Sequence, residues 1–369
     1  MFASISANPA LPTKAKAAKT AQALSRAGLL VAVVCASCPS AALSAERTIS
    51  VLGWNGNQPQ QQILERPFWA DLDKATGGKL AARFNTLDEL NLKGFEALRT
   101  LRSGAFDIVS IQVAFVSGDD PVLVATDLPG TAETQADVEK ISEAYKPVLD
   151  KHLQDNYGAR LMAVWSYPPQ ILYCRDEIAS LTALKGKKVR TQSAFASAAV
   201  EHLGASSVSL AGPEVYQAMM QGVVDCAITG AAYAAANDWH DVARTVYPLA
   251  FGGNGIAIHA IREKVWQSLS AAQQAALSDQ FTKLEAGFWA MATKTHQDGL
   301  NCNTGKQPCS TNRLGKMTVA EVTPADQETL RSIVKTVVLP AWLKDCEAKT
   351  PTCKADWNST VGKLMKLEM

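Results

Sequence analysis

An excess of charge of either sign is missing from this sequence. Its 36 lysines and arginines face 35 aspartates and glutamates, a formal net charge of +1 over 369 residues, so the basic footprint of nucleic-acid binding is absent. Histidine is scarce, and the five, at 152, 202, 240, 259 and 296, share no metal-ligand spacing. Familiar catalytic signatures are missing too: no G-x-S-x-G, no H-E-x-x-H, no P-loop and no G-x-G-x-x-G occurs. The acidic pairs Asp88-Glu89 and Asp119-Asp120 are adjacent in sequence and read as surface or turn residues. No metal and no cofactor is expected from this set, and binding is the expected class of function.

Long apolar runs are confined to one place. AGLLVAVVCA at 27–36 is too short for a membrane span of roughly 20 residues. It follows a basic stretch with Lys14, Lys16, Lys19 and Arg26, and precedes the small residues ASCPSAALSA. That order reads as a signal peptide over residues 1–45, with the exported, soluble chain beginning near Glu46. Without residues 1–45 the balance becomes 32 basic against 35 acidic residues.

Cysteine use agrees with export. Cys35 and Cys38 leave with the leader, and four of the remaining six form two equal spacings, Cys302–Cys309 and Cys346–Cys353. Each intervening loop holds a proline and turn-prone residues, so each pair is expected to close on itself in an oxidising compartment. A zinc site is the rival reading, although C-x₆-C lacks the usual tight ligand spacing. Cys174 and Cys226 sit in apolar, strand-like runs and read as buried thiols, with a bond between them as the alternative.

The chain after the leader alternates strand and helix. RTISVLGW, KLAARFNT and FDIVSIQV read as strands separated by helices, the pattern of a parallel α/β sheet. After a helical stretch, ADVEKISEAYKPVLDKHLQDNYG, and the strand ARLMAVWS, the alternation restarts. ILYCRD, KKVRT, SVSL and VVDCAIT are strands, interleaved with AFASAAVEHLG and PEVYQAMMQG as helices. A capping box at Ser270-Gln273 opens a long helix with Leu277, Phe281, Leu284, Phe288 and Met291 on one face. GGNG at 252–255 reads as a tight crossing between two lobes. The expected organisation is lobe I at 46–166 with 251–285 returning to it, and lobe II at 167–250 with 286–369 packing on it.

One stretch raises a question of charge. KKVRTQSAFASAAVEHLGASSVSL at 187–210 ends a short strand on Arg190, beside a helix start near Ala194, with Glu201 its one acid. The order of motifs around it is similar to a known family. LKGKKVR at 184–190, PEVYQAMMQGVVD at 213–225, Thr76-Gly77-Gly78, LRSGAFD at 101–107 and Asp127-Leu128-Pro129 resemble the solute-binding subunits of tripartite ATP-independent periplasmic (TRAP) transporters, in the C4-dicarboxylate-binding branch.

The resemblance covers nearly the whole exported chain and implies an α/β, two-lobed periplasmic binding protein fold. It further implies a central cleft, hinge strands and a long helix spanning both lobes. By the same resemblance the arginine of L-K-G-x-K-V-R, here Arg190, grips a ligand carboxylate. Its planar fork suits two parallel hydrogen bonds, and the helix start near Ala194 offers further N–H groups. Many relatives carry a second arginine in the strand where this chain has Gln170, so a monocarboxylate with an apolar or aromatic body is expected rather than a dicarboxylate. The remaining candidate ligand-binding residues are Trp54, Asn55, Gln112, Trp165, Tyr167, Phe195, Tyr216, Thr229 and Asn254, with Trp239 close behind.

The function expected is therefore a periplasmic receptor, acting as a monomer, that delivers a small organic acid to the small and large integral-membrane TRAP permease subunits. A sensor subunit serving a membrane kinase is the alternative. An enzyme on the same scaffold is a third reading, against which the missing base–nucleophile pair argues.

Overall fold

A computed structural model describes residues 45–311 and 313–369. The leader read over 1–45 lies, up to residue 44, outside the described residues.

The first sheet has the order β2-β1-β3-β10-β4, built from β1 (Arg47–Gly53), β2 (Leu80–Thr86), β3 (Ile108–Gln112), β4 (Ala159–Ser166) and β10 (Ile256–Arg262). β1 pairs in parallel with β2 and β3, while β10 runs antiparallel between β3 and β4. β3 is buried at every position, as an apolar run covered on both faces must be. The second sheet has the order β11-β9-β5-β8-β6-β7, from β5 (Gln170–Cys174), β6 (Lys188–Thr191), β7 (Ser206–Ser209), β8 (Cys226–Gly230), β9 (Thr245–Tyr247) and β11 (Thr318–Val319). β6 lies in parallel between β7 and β8.

The chain passes between the sheets at 167–169 and again at 248–255, and the two crossings bond to each other. Tyr167 N donates to Gly255 O at 2.8 Å, Gln170 N to Gly253 O at 3.1 Å, and Gly252 N to Gln170 O at 2.9 Å. The glycines are required by space as well as conformation. Gly253 has φ of 106°, and a Cβ there would stand 2.5 Å from the Asp127 carbonyl oxygen. On Gly252 a Cβ would meet Ile228 Cγ2 at 2.0 Å.

The long helix spans Ala271–Thr304 and carries the capping box at Ser270 and Gln273. At 34 residues it is about 51 Å long. Its middle packs on β4, where Phe288 stacks on Trp165 at 3.7 Å and Trp289 Nε1 donates to Val164 O at 3.0 Å. Further along, Gly299 lies against the backbone of Ala231 and Ala232, in the helix Ala231–Ala236 that follows β8; a Cβ there would approach to 2.4 Å. The C-terminal helices touch elements of both groups. Trp342 Nε1 donates to Pro121 O at 2.8 Å, and Asp326 accepts from Leu181 N at 3.0 Å.

Among the described residues three disulfides are present. Cys302–Cys309 and Cys346–Cys353 close as local pairs, Cα atoms 4.8 and 5.9 Å apart. The third corrects the reading of Cys174 and Cys226 as thiols: they are bonded, with Cα atoms 4.0 Å apart. The antiparallel register of β5 and β8 sets Cys174 directly opposite Cys226, and the apolar runs alone carried no register.

Candidate ligand-binding site

A cavity of about 390 Å³, its mouth included, lies where the crossings meet the strand ends. Arg190 enters it from the end of β6, only 1% exposed. Among the described residues it is the one charged side chain lining the cavity. No carboxylate pairs with it there either.

Its hydrogen bonds go to neutral oxygens. Nε donates to Leu210 O at 2.9 Å, and Nη1 donates to Ile228 O at 2.7 Å and to Gln192 Oε1 at 2.9 Å. Nη2 has no partner among the described residues and is not sealed from the cavity. Burial pulls the guanidinium down to about 10, and it stays charged at neutral pH. An unpaired buried cation is costly. The site is therefore prepared for an anion.

The arginine also sets the polarity of its neighbours. Because a guanidinium only donates, Gln192 must turn its oxygen toward Nη1. Its amide nitrogen then donates to Gln170 Oε1 at 2.7 Å, and Gln170 Nε2 donates to Pro168 O at 2.7 Å. The chain of amides thus runs outward from Arg190 as successive donors, ending on the first crossing.

Aromatic rings form the apolar walls. Trp54 lies 5.3 Å from Phe115, which stacks edge-on with Phe95 at 5.2 Å. The Arg190 guanidinium stands 5.8 Å from the Phe115 ring centre. Beside the cavity, elements of the two groups are joined by an ion pair between Lys93 and Glu214 and by Asn57 Nδ2 donating to Asn237 Oδ1 at 3.0 Å.

A two-sheet α/β chain, a cavity at its crossings and a buried arginine without an internal acid together describe a binding protein. Residues 52–345 match the family described as bacterial extracellular solute-binding protein, family 7. The chain belongs to that family. Among solved structures, a Bordetella pertussis extracytoplasmic solute receptor binding pyroglutamic acid is similar over 84% of this chain and 99% of its own, at 24% identity and a TM-score of 0.73. A TRAP periplasmic solute binding protein from Desulfovibrio salexigens, with bound orotic acid, covers 86% and 99% at 17% identity and a TM-score of 0.75. Another from Roseobacter denitrificans, with bound β-D-glucuronate, covers 87% and 100% at 16% identity and a TM-score of 0.72. These likenesses are of fold, and with the family match they bear out the two-lobed α/β binding-protein fold and the resemblance carried by LKGKKVR.

In this family 7 chain the cavity gathers Trp54, Asn55, Gln112, Tyr167, Gln170, Arg190 and Thr229 from the residues singled out in the sequence. Four others lie elsewhere. Trp165 is in the core beneath, where its Nε1 donates to His259 Nδ1 at 3.1 Å, and His259 Nε2 faces Glu65 Oε1 at 2.9 Å. Since Nδ1 accepts from Trp165, the proton sits on Nε2 and the imidazole donates to the buried Glu65. Phe195 packs in the main core at 1% exposure, and Tyr216 lies half-buried against the second core. Asn254 fastens the crossing: its N donates to Asp127 Oδ1 at 2.6 Å and its Nδ2 to Thr126 O at 3.0 Å. Trp239 is likewise buried in the second core.

Two details of the expected grip change. The carbonyls of the strands flanking β6 occupy Nε and Nη1, so the two free N–H groups of Arg190 both belong to Nη2 rather than to a two-nitrogen fork. The helix start is also occupied. Ala194 N donates to Ser117 Oγ at 3.0 Å and Phe195 N to Ser193 Oγ at 3.2 Å, and neither Ser193 nor Ala194 lines the cavity. The lining residues that the sequence reasoning missed are Gln58, Phe115, Pro168, Gln192, Gly212, Gly230 and Tyr233. Gln192 was within reach of it, because residues two apart on an extended chain share a face. Tyr233 carried no such signal in its alanine-rich surroundings.

Proposed function

We propose that the protein is the extracytoplasmic receptor of a TRAP-type secondary transporter, working in the periplasm. In this reading it takes up an organic monocarboxylate with a compact apolar or aromatic body and hands it to the small and large integral-membrane permease subunits. Arg190 carries the reading: a cation buried to 1% exposure with neutral partners and one free nitrogen toward the cavity. A carboxylate completes its coordination. The single charge in the lining matches one carboxylate better than two, since a second one would be desolvated without a counter-charge. Trp54, Phe115 and Tyr233 supply walls for an apolar body. The ligands named for the three related receptors, pyroglutamic acid, orotic acid and β-D-glucuronate, each carry one carboxylate, which supports the same class here.

In this account the two sheets with their helices form the lobes, the crossings at 167–169 and 248–255 form the hinge, and ligand contacts on both sides hold the closed state. Binding, not turnover, is the activity. The test is a thermal-shift screen of the purified protein against pyroglutamate, orotate, lactate, glucuronate, benzoate and succinate. A bound ligand raises stability by RT ln(1 + [L]/Kd), and a monoacid should give the largest rise. Succinate binding more tightly than every monoacid would overturn the ligand class, and no response to any acid would overturn the receptor reading.

A further inference from the structure

Tyr233 has a hydroxyl that the fold does not use. The residue follows β8 in the helix Ala231–Ala236 and lines the cavity opposite the crossings, 7% exposed. Its oxygen is sealed from bulk water and has no hydrogen-bond partner among the described residues. The ring is packed among other aromatics. It stands edge-on to Trp239 at 6.1 Å and 90°, and Trp239 is held edge-on by Tyr173 at 5.7 Å and 89°.

The hydroxyl also occupies space kept free for it. A Cβ on Gly212 would stand 2.5 Å from the Tyr233 oxygen, so any larger residue there would displace it. Gly212 lies two residues beyond Leu210, whose carbonyl oxygen accepts from Arg190 Nε at 2.9 Å. One short segment thus seats both the guanidinium and the phenol. They are close enough for each to shift the other's proton affinity. A phenol beside a cation turns its lone pairs toward that cation and its proton away from it. Both groups line the same cavity, so an anion that enters it meets the guanidinium and the phenol together.

We propose that the Tyr233 hydroxyl donates a hydrogen bond to the ligand carboxylate held by Arg190 Nη2, which makes Tyr233 a specificity-determining residue of the site. The inference rests on the reading of the cavity as a carboxylate site. It supplies what the occupied fork of Arg190 lacks: Nη2 serves one carboxylate oxygen and Tyr233 the other. Burial lifts the phenol to about 12, so it keeps the proton it donates across the physiological range. A neutral acceptor of the same shape gains less from the pair, so Arg190 and Tyr233 together discriminate acid from amide.

Tyr233→Phe removes the oxygen and leaves the ring. Calorimetry on wild type and variant, using whichever of pyroglutamate, orotate or lactate binds wild type most tightly, reads the contribution directly. The variant should bind that acid roughly tenfold to a hundredfold more weakly. It should bind the corresponding amide no worse than wild type does. The empty variant should melt at or above wild type, because a buried hydroxyl without a partner has been removed. Equal affinity for the acid overturns the proposal and leaves the receptor reading standing. A clear fall in the melting point of the empty variant also overturns it, since the hydroxyl would then have a partner within the fold. Wild type that binds none of the acids removes the receptor reading and this proposal with it.

Discussion

The bond between Cys174 and Cys226 is the strongest covalent restraint in the fold, and its removal has a calculable effect. It closes a loop with a sequence separation of 52, against 7 for each of the other two disulfides. In the chain-entropy treatment a loop of that length restricts the unfolded chain by about 4 kcal/mol, and the short loops by about 2.5 kcal/mol each. The perturbation is Cys174→Ala with Cys226→Ala, which removes the bond without leaving a free thiol. Equilibrium unfolding in guanidinium, followed by tryptophan fluorescence and circular dichroism, measures the loss. Stability should fall by about 4 kcal/mol, plus a smaller amount for the two buried sulfur atoms. The slope with denaturant should rise because the unfolded chain becomes less compact. Ligand affinity should hardly change. In the register of β5 with β8, Cys174–Cys226 is four residues from the Gln170–Gly230 pair at the cavity, about 14 Å along the strand. A loss below about 1 kcal/mol, or a larger loss on deleting Cys302–Cys309, would refute the reasoning.

Three further outcomes follow from the site and its frame. Burial holds the Asp127 carboxyl up at about 7 against an ordinary 3.8, so the folded protein binds that proton more tightly than the unfolded chain does. Its contribution, at most about 4 kcal/mol, is full below about pH 4 and lost as pH rises through 7. Melting curves should show wild type falling between pH 5 and 8 by more than Asp127→Asn does, and parallel profiles would count against it. Gln170→Arg brings a second cation toward the first, so calorimetry should show the ratio of succinate to monoacid affinity rising by about tenfold; an unchanged ratio means position 170 does not face ligand. The Lys93–Glu214 pair is half-exposed, with side chains 56% and 43% accessible. Lys93→Ala should therefore weaken ligand binding by no more than about fivefold, less at high salt, and a loss of a hundredfold would show a role beyond an exposed ion pair.

Much of the frame was legible because it is local. Strand and helix alternate visibly, Ser270 and Gln273 announce the long helix, and Arg190 stands out as a strand-end cation with no nearby acid. What escaped depends on pairing across the chain. IAIHAIR, the β10 strand, lies in the segment expected to return to the first lobe, but its antiparallel place between β3 and β4 is a pairing that its apolar run does not show. The Cys174–Cys226 bond needed a register that alternation cannot supply. Trp54, beside the Asn55-Gly56-Asn57 turn, was the stronger aromatic candidate and Trp165 a weaker one. Packing separated them: Phe288 and His259 hold Trp165 in the core, while Trp54 rests on Phe115 at the cavity. Asn254, one of the candidate ligand contacts, instead uses its backbone N on Asp127 and its side-chain Nδ2 on Thr126 to fix the crossing.

The central claim is that Arg190 is a buried cation whose proper partner is a ligand carboxylate, and Arg190→Met tests it most directly. Methionine fills similar space without the charge. Titration calorimetry with the monoacid that wild type binds most tightly should show affinity falling a hundredfold or more, because the carboxylate would be desolvated with no counter-charge. The empty variant should remain folded and melt close to wild type. Losing the guanidinium frees the carbonyls of Leu210 and Ile228, but it also removes an uncompensated buried charge. Affinity equal to wild type, or an empty variant that no longer folds, would contradict the account and make Arg190 a part of the scaffold.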